Sequence, residues 1–114
     1  MDGTYTPPYQ EPTYSYETQS VSLTDGSVLY VSRYKDIVML RMNLTTRSAL
    51  SAWATIATIP AKYRPSEDVW FMNALSTSQT IGFSLGGTGA LVPSVYIPSG
   101  TAIWATVTYI ARNR

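Results

Sequence analysis

The hydrophobic positions of this 114-residue chain recur at every second residue, in short runs separated by turn residues. The clearest run is Ile37–Leu44, where Val38, Leu40, Met42 and Leu44 share one face and Ile37, Met39 and Arg41 share the other. Successive side chains of a strand point to opposite sides, so this pattern predicts a half-buried strand with the Val38 set on the core. Val28–Tyr34 alternates in the same way, with Val28, Tyr30 and Ser32 on one face and Leu29, Val31 and Arg33 on the other. Lys35-Asp36 joins these two runs. A connection that short leaves no room for a crossover helix, so the strands must be antiparallel. Upstream, Gln19–Leu23 reads as a short strand, and Asp25-Gly26 is a turn signal.

Downstream, Thr45–Leu50 is polar and predicts a loop with room for one helical turn. Trp53–Ile59 is rich in Trp, Thr and Ile, which suit a pleated surface, and predicts a central strand with Trp53 in the core. Pro60 ends that ladder, because it has no N–H to donate. Pro65 pushes Arg64 into an extended conformation, so Tyr63 and Arg64 are held between two prolines. Pro60, Tyr63, Arg64 and Pro65 are therefore expected to form a structural loop, with Arg64 bonding carbonyls or a carboxylate across it.

Val69–Leu75 is the next expected strand, with Trp70 and Met72 on one face and Phe71 and Asn73 on the other. One of Trp70 and Phe71 then belongs to the core, and the other is exposed or at a subunit contact. Gln79–Leu85 follows, and Gly86–Gly89 makes a hairpin. Ala90–Ile97 is broken by Pro93, which predicts an edge or bulged strand. Pro98-Ser99-Gly100 turns the chain into a last strand, Thr101–Ala111. There Trp104 and Ile110 fall on one face, and Ile103, Val107 and Tyr109 on the other. No segment sustains a 3.6-residue period. The expected fold is all-β, an antiparallel, jelly-roll-like β-sandwich of about eight strands with little or no helix.

Residues 1–17 differ in kind. They carry Pro7, Pro8 and Pro12 among Tyr5, Tyr9, Tyr14 and Tyr16, with no aliphatic residue after Met1. Such a segment cannot build a core and is expected to run extended, as a linker or as an arm whose tyrosines pack on a neighbouring subunit. The sandwich is expected to occupy residues 18–114.

Composition narrows the function. Charged residues make up 13% of the chain, and the net charge is +1. With so weak a field, neither nucleic acid nor an anionic membrane is an expected partner. Ser and Thr, 28 in all, wet the surface with hydroxyls instead of charges, which suits extracellular or virion proteins and surfaces buried in an assembly. No apolar run is long enough for a transmembrane helix, and the first residues show no basic-then-apolar secretory pattern.

The chain has no His and no Cys, so the usual triads and zinc sites cannot be assembled. Asp2, Glu11 and Glu17 lie in the arm region, and Asp25 and Asp36 lie in tight turns. Glu67 and Asp68 are adjacent, so on a strand they point to opposite faces and cannot pair across a substrate. No catalysis, metal or cofactor is expected. The Gly-rich run Gly82–Gly89 lacks the Lys-Ser/Thr ending and the following helix of a phosphate loop.

Aromatic residues are what remains. A pyranose presents a C–H face that sits well on an aromatic plane, with nearby polar groups fixing its hydroxyls. Tyr96, Trp104, Trp70 and Asn73 are the candidate sugar contacts, against the alternative that each belongs to a core or an interface.

The stretch Ile59-Pro60-Ala61-Lys62-Tyr63-Arg64-Pro65-Ser66, at the end of an expected strand, resembles the C-terminal β-sandwich domain of tail-fibre and baseplate proteins of tailed bacteriophages. Members of that family often read Leu-Pro-Ala-Gly-Tyr-Arg-Pro here. This chain has Ile59 for the Leu and Lys62 for the Gly, and Lys tolerates a positive φ only at a cost. The resemblance covers Ser22–Tyr109 as a pattern of strands and Trp53–Ser66 as a motif. It implies a virion protein assembled in the host cytoplasm, contacts with other tail or baseplate proteins, and passive adsorption to a host-surface glycan. It also implies a homotrimer. The outward placement expected for Ile37, Met39 and Phe71 adds separate support for an assembly, since a monomer would prefer polar side chains there. A purely structural attachment module of the virion and a free-standing carbohydrate-binding domain are the rival readings.

Overall fold

A computed structural model describes residues 17–76 and 79–112, the side chains of 73–76 and 79 excepted. The expected arm, residues 1–16, and Thr77, Ser78, Asn113 and Arg114 lie outside the described residues. Among the described residues eight strands form two four-stranded antiparallel sheets: β1 (Glu17–Ser22), β2 (Val28–Tyr34), β3 (Ile37–Thr45), β4 (Ala57–Thr58), β5 (Val69–Ser76), β6 (Gln79–Leu85), β7 (Ala90–Pro93) and β8 (Ala102–Ile110). The helical structure among the described residues is a single 3₁₀ turn, Ala61–Tyr63. The protein is an all-β sandwich, as the alternation predicts.

The first sheet runs β1-β2-β3-β8 and the second β4-β7-β6-β5. In the second sheet β5, β6 and β7 follow one another as hairpins, and β4 reaches the place beside β7 through the long connection that carries the 3₁₀ turn. That is the Greek-key order, entered from its long connection. β8 then returns to the first sheet and pairs with β3.

Between the sheets lies one hydrophobic core. The first sheet supplies Leu29 and Val31 from β2, Val38, Leu40 and Met42 from β3, and Ile103, Ala105 and Tyr109 from β8. The second supplies Phe71, Ile81, Phe83, Leu85 and Leu91. Phe71 lies opposite Phe83 in the ladder, and their rings stack at 5.2 Å between centroids. Phe71 was expected on the outer face and is instead in the core, because this pairing turns it inward and sends Trp70 and Met72 out to solvent. The two residues that the Trp70–Phe71 alternation left open are thereby sorted. Ile37 does stay exposed, and Met39 is half-buried.

Trp53 departs from expectation more sharply. It is 64% exposed and sits at φ 61° in a turn over Ser51–Ala54, not in a core strand. Its N–H bonds the Pro93 carbonyl, and regular pairing begins only at β4. The β propensity of the Trp-Thr-Ile run is overridden because here the chain crosses from one sheet to the other. Only Ile56, Ala57 and Ile59 of this run are buried.

Pro93 was expected to make its strand an edge or bulged strand, and the edge position is not what is found. β7 lies inside the second sheet, between β4 and β6. The proline is tolerated because β4 pairs only with Ala90 and Leu91 and ends before Pro93 needs an N–H.

The turns follow their residues. Gly26 adopts φ 88° after Asp25, and the Asp25 carboxylate accepts from Ser27 N at 2.9 Å and Arg47 N at 2.8 Å. Lys35 takes φ 56° in the two-residue connection of β2 to β3. Thr46 is buried. Its Oγ1 donates to the Pro98 carbonyl and accepts from Thr101 N, which ties the end of β3 to the turn before β8.

Candidate functional site

The outward side chains of the first sheet come from the residues that alternate with the core set. Register places them in rows across the sheet. Tyr30 faces Arg41, and Arg41 faces Thr106; one step along, Asn43 faces Trp104. These residues line a groove of about 480 Å³, whose walls also include parts of Met42 and Ala105. Tyr30 and Trp104 stand two strand spacings and two residues apart, roughly 12 Å at about 4.8 Å per strand and about 3.4 Å per residue. Trp104 is 70% exposed and Tyr30 47%. Both rings are therefore free to meet a ligand while their backbones are held in a sheet. Polar Arg41, Asn43 and Thr106 lie between them. Pockets of this size with aromatic walls and a few polar groups are typical of small-molecule sites.

Electrostatically the groove is simple. Glu17 is the only carboxylate in β1, β2, β3 and β8, and it is paired with Lys62 at 2.9 Å. Among the described residues Arg41 has no ion pair, hydrogen bond or ring contact.

The other exposed aromatics lie elsewhere. Trp70 is on the outer face of the second sheet, with its ring edge-on to Trp53 at 6.3 Å and 68°. Exposed Met72 continues that face. Tyr96 is exposed just before Ile97, which bridges to Leu50. Asn73 pairs with Ile81 in β5, and its side chain is outside the described residues. Trp104 and Trp70 thus occupy opposite faces of the sandwich and cannot share one ligand. Tyr30, Arg41, Asn43 and Thr106 line the groove with Trp104 and were not among the expected sugar contacts. Their outward parity was available in the alternation, but β8 as the neighbour of β3 was not.

The loop between Pro60 and Pro65 is a brace, and its geometry explains its residues. Pro60 opens the 3₁₀ turn, and Arg64 is extended at φ −78°, ψ 145° ahead of Pro65. Lys62 sits within the turn without positive φ, so replacing Gly there carries no backbone strain. Arg64 Nε donates to the Ile59 carbonyl at 2.8 Å, closing the loop on itself. Arg33 reaches in from β2 to donate to the Lys62 carbonyl. Tyr63 is buried, and its carbonyl accepts from Tyr109 Oη at 2.6 Å. Burial pushes the Tyr109 hydroxyl well above the usual tyrosine range, so it stays protonated and keeps donating.

Gly89 is the keystone of this corner. At φ 89°, a Cβ on it would lie 2.5 Å from the Ile59 oxygen and 2.7 Å from Arg64 Nε.

Among the described residues no three acids gather into a metal-sized cluster, and Glu67 and Asp68 are exposed beside β5. Asp68 accepts from Gly87 N at 3.2 Å, a loop-closing role. No helix among the described residues is long and apolar enough to cross a membrane. Compared with models of known protein families and with curated proteins, the chain matches none.

Proposed function

We propose that this chain is a non-catalytic glycan-binding domain of a phage tail fibre or baseplate, which adsorbs to a host-surface saccharide. The observation that carries the reading is the groove in which Tyr30 and Trp104 flank Arg41, Asn43 and Thr106. A sheet face holds its side chains with little freedom, so the two rings are preorganised platforms for sugar C–H faces. Asn43 and Thr106 supply donors and acceptors for ring hydroxyls. The resemblance of Ile59–Ser66 to phage fibre domains supplies the virion context.

Single grooves of this openness bind weakly. A homotrimer presenting three of them gains avidity without any new contact. Ile37 and Ile110 lie opposite each other in the first sheet and are both exposed, which suits a subunit contact on that face.

The second reading is an attachment module that joins virion subunits. The exposed Trp53, Trp70 and Met72 face favours it, since apolar faces of that kind mark protein contacts.

A glycan array probed with the wild type and with Trp104→Ala tests the first reading. Retained signal for particular saccharides, lost in Trp104→Ala, is expected. An array silent for the wild type would leave the attachment reading in its place. Light scattering tests the trimer: a mass near the 12.6 kDa protomer at micromolar concentration would sink it.

A further inference from the structure

We propose that the groove selects saccharides bearing an oxyanion, a carboxylate or a phosphodiester, and that Arg41 is the residue that reads the charge. The inference rests on the glycan-binding reading of the same groove and adds the class of ligand.

Three observations lead to it. Arg41 sits in the middle of β3, directly between Tyr30 on β2 and Thr106 on β8, so its guanidinium rises from the floor of the groove. It has no partner among the described residues, whereas Arg33 and Arg64 donate to carbonyls and Arg112 donates to Gly87 O. The strands around it hold no carboxylate except Glu17, which Lys62 already engages. The groove thus carries a cation that is unpartnered among the described residues, and carries it between two exposed rings.

A guanidinium offers paired N–H donors in a fixed fork that fits a carboxylate or phosphate in bidentate fashion. With a sugar ring lying on Trp104 or Tyr30, an oxyanion on that ring or on the adjoining linkage falls within the span of about two strand spacings that Arg41 occupies. Neutral sugars would use the rings, Asn43 and Thr106 alike but leave the guanidinium with water. The groove therefore ranks anionic chains above neutral ones, and the preference weakens as salt screens the exposed pair.

Titration calorimetry on the full chain tests this with three probes: hyaluronan oligosaccharides for the carboxylate, a glycerol-phosphate oligomer for the phosphodiester, and chito-oligosaccharides as the neutral control. Wild type, Arg41→Gln and Trp104→Ala are compared at low and moderate salt, with melting temperature as the check that the exposed substitutions leave the fold intact. The expected result is at least a tenfold loss of affinity for an anionic probe in Arg41→Gln, with neutral binding unchanged, and a loss for every probe in Trp104→Ala. Which anionic probe binds identifies the oxyanion. Arg41→Gln binding the anionic probes as the wild type does, or neutral probes binding as tightly as anionic ones, overturns charge selection and leaves the glycan reading standing. Failure of the wild type to bind any of the three removes the glycan reading and this inference together.

Discussion

Tyr109 and Tyr63, 46 residues apart, meet through one buried hydrogen bond in which Tyr109 Oη donates to the Tyr63 carbonyl at 2.6 Å. The bond pins the 3₁₀ turn of the crossing segment to the last strand of the first sheet. Backbone pairing of Pro65 with Ala111, and Arg112 N donating to Arg64 O, extend the same seam. The corner of the sandwich is thus closed by one side chain and a short ladder, both built around the Pro60–Pro65 loop.

Tyr109→Phe keeps the ring in the core and leaves the Tyr63 carbonyl without its donor. An orphaned buried acceptor costs about 1–3 kcal/mol. Urea denaturation should show a loss of that size with an unchanged slope. The sign of the pH effect also follows. The folded hydroxyl holds its proton more tightly than the unfolded one, so its contribution is fully present below about pH 10 and is lost as pH rises beyond that. Wild type should lose stability in alkali more steeply than Tyr109→Phe.

Asp25 titrates at the other end of the range. Partial burial pushes its carboxyl up, but hydrogen bonds from the Ser27 hydroxyl and from the backbone N–H groups of Ser27, Arg47 and Ser48 outweigh this and hold it below the ordinary value. A depressed folded pKa contributes stability above the unfolded value, near 3.9, and that contribution is lost as pH falls through the folded one. The gap in melting temperature between wild type and Asp25→Asn should therefore be widest near neutral pH and shrink below about pH 4. A gap constant down to pH 2 would show that the charge contributes nothing.

Gly89→Ala places a methyl against the Ile59 carbonyl and forces an L residue to φ 89°. Backbone strain and overpacking each cost about 1–3 kcal/mol, so a combined loss of about 2–6 kcal/mol is expected. Gly100→Ala is the control. It shares a positive φ of 80° but has nothing within 4 Å of the added Cβ, so it should cost clearly less.

Trp53→Ala removes a ring that is mostly in solvent, and should shift stability by less than about 1 kcal/mol. Phe83→Ala, at the fully buried centre of the second sheet, should cost about 3–5 kcal/mol. Chemical denaturation of the two variants side by side separates them. Equal losses would put Trp53 back in the core.

Alternation located most of the strands and the inner face of β3, because side-chain period is a property of the local backbone, and the two-residue Lys35-Asp36 connection made β2 and β3 antiparallel. Val38, Leu40, Met42 and Leu44 could be assigned to the core from one strand's own residues. The tight Lys35-Asp36 turn went further: with Tyr34 opposite Ile37, counting outward puts Tyr30 opposite Arg41. Half of the candidate groove was therefore legible in the hairpin. The other half was not, because Thr106 and Trp104 arrive through the pairing of β8 with β3, and period says which way a side chain points but not which strand lies beside it. That choice belongs to the packing of the two sheets. The same packing turned Phe71 inward onto Phe83 and drew the chain across at Trp53, where a run rich in strand-formers has only two residues, Ala57 and Thr58, in a regular ladder.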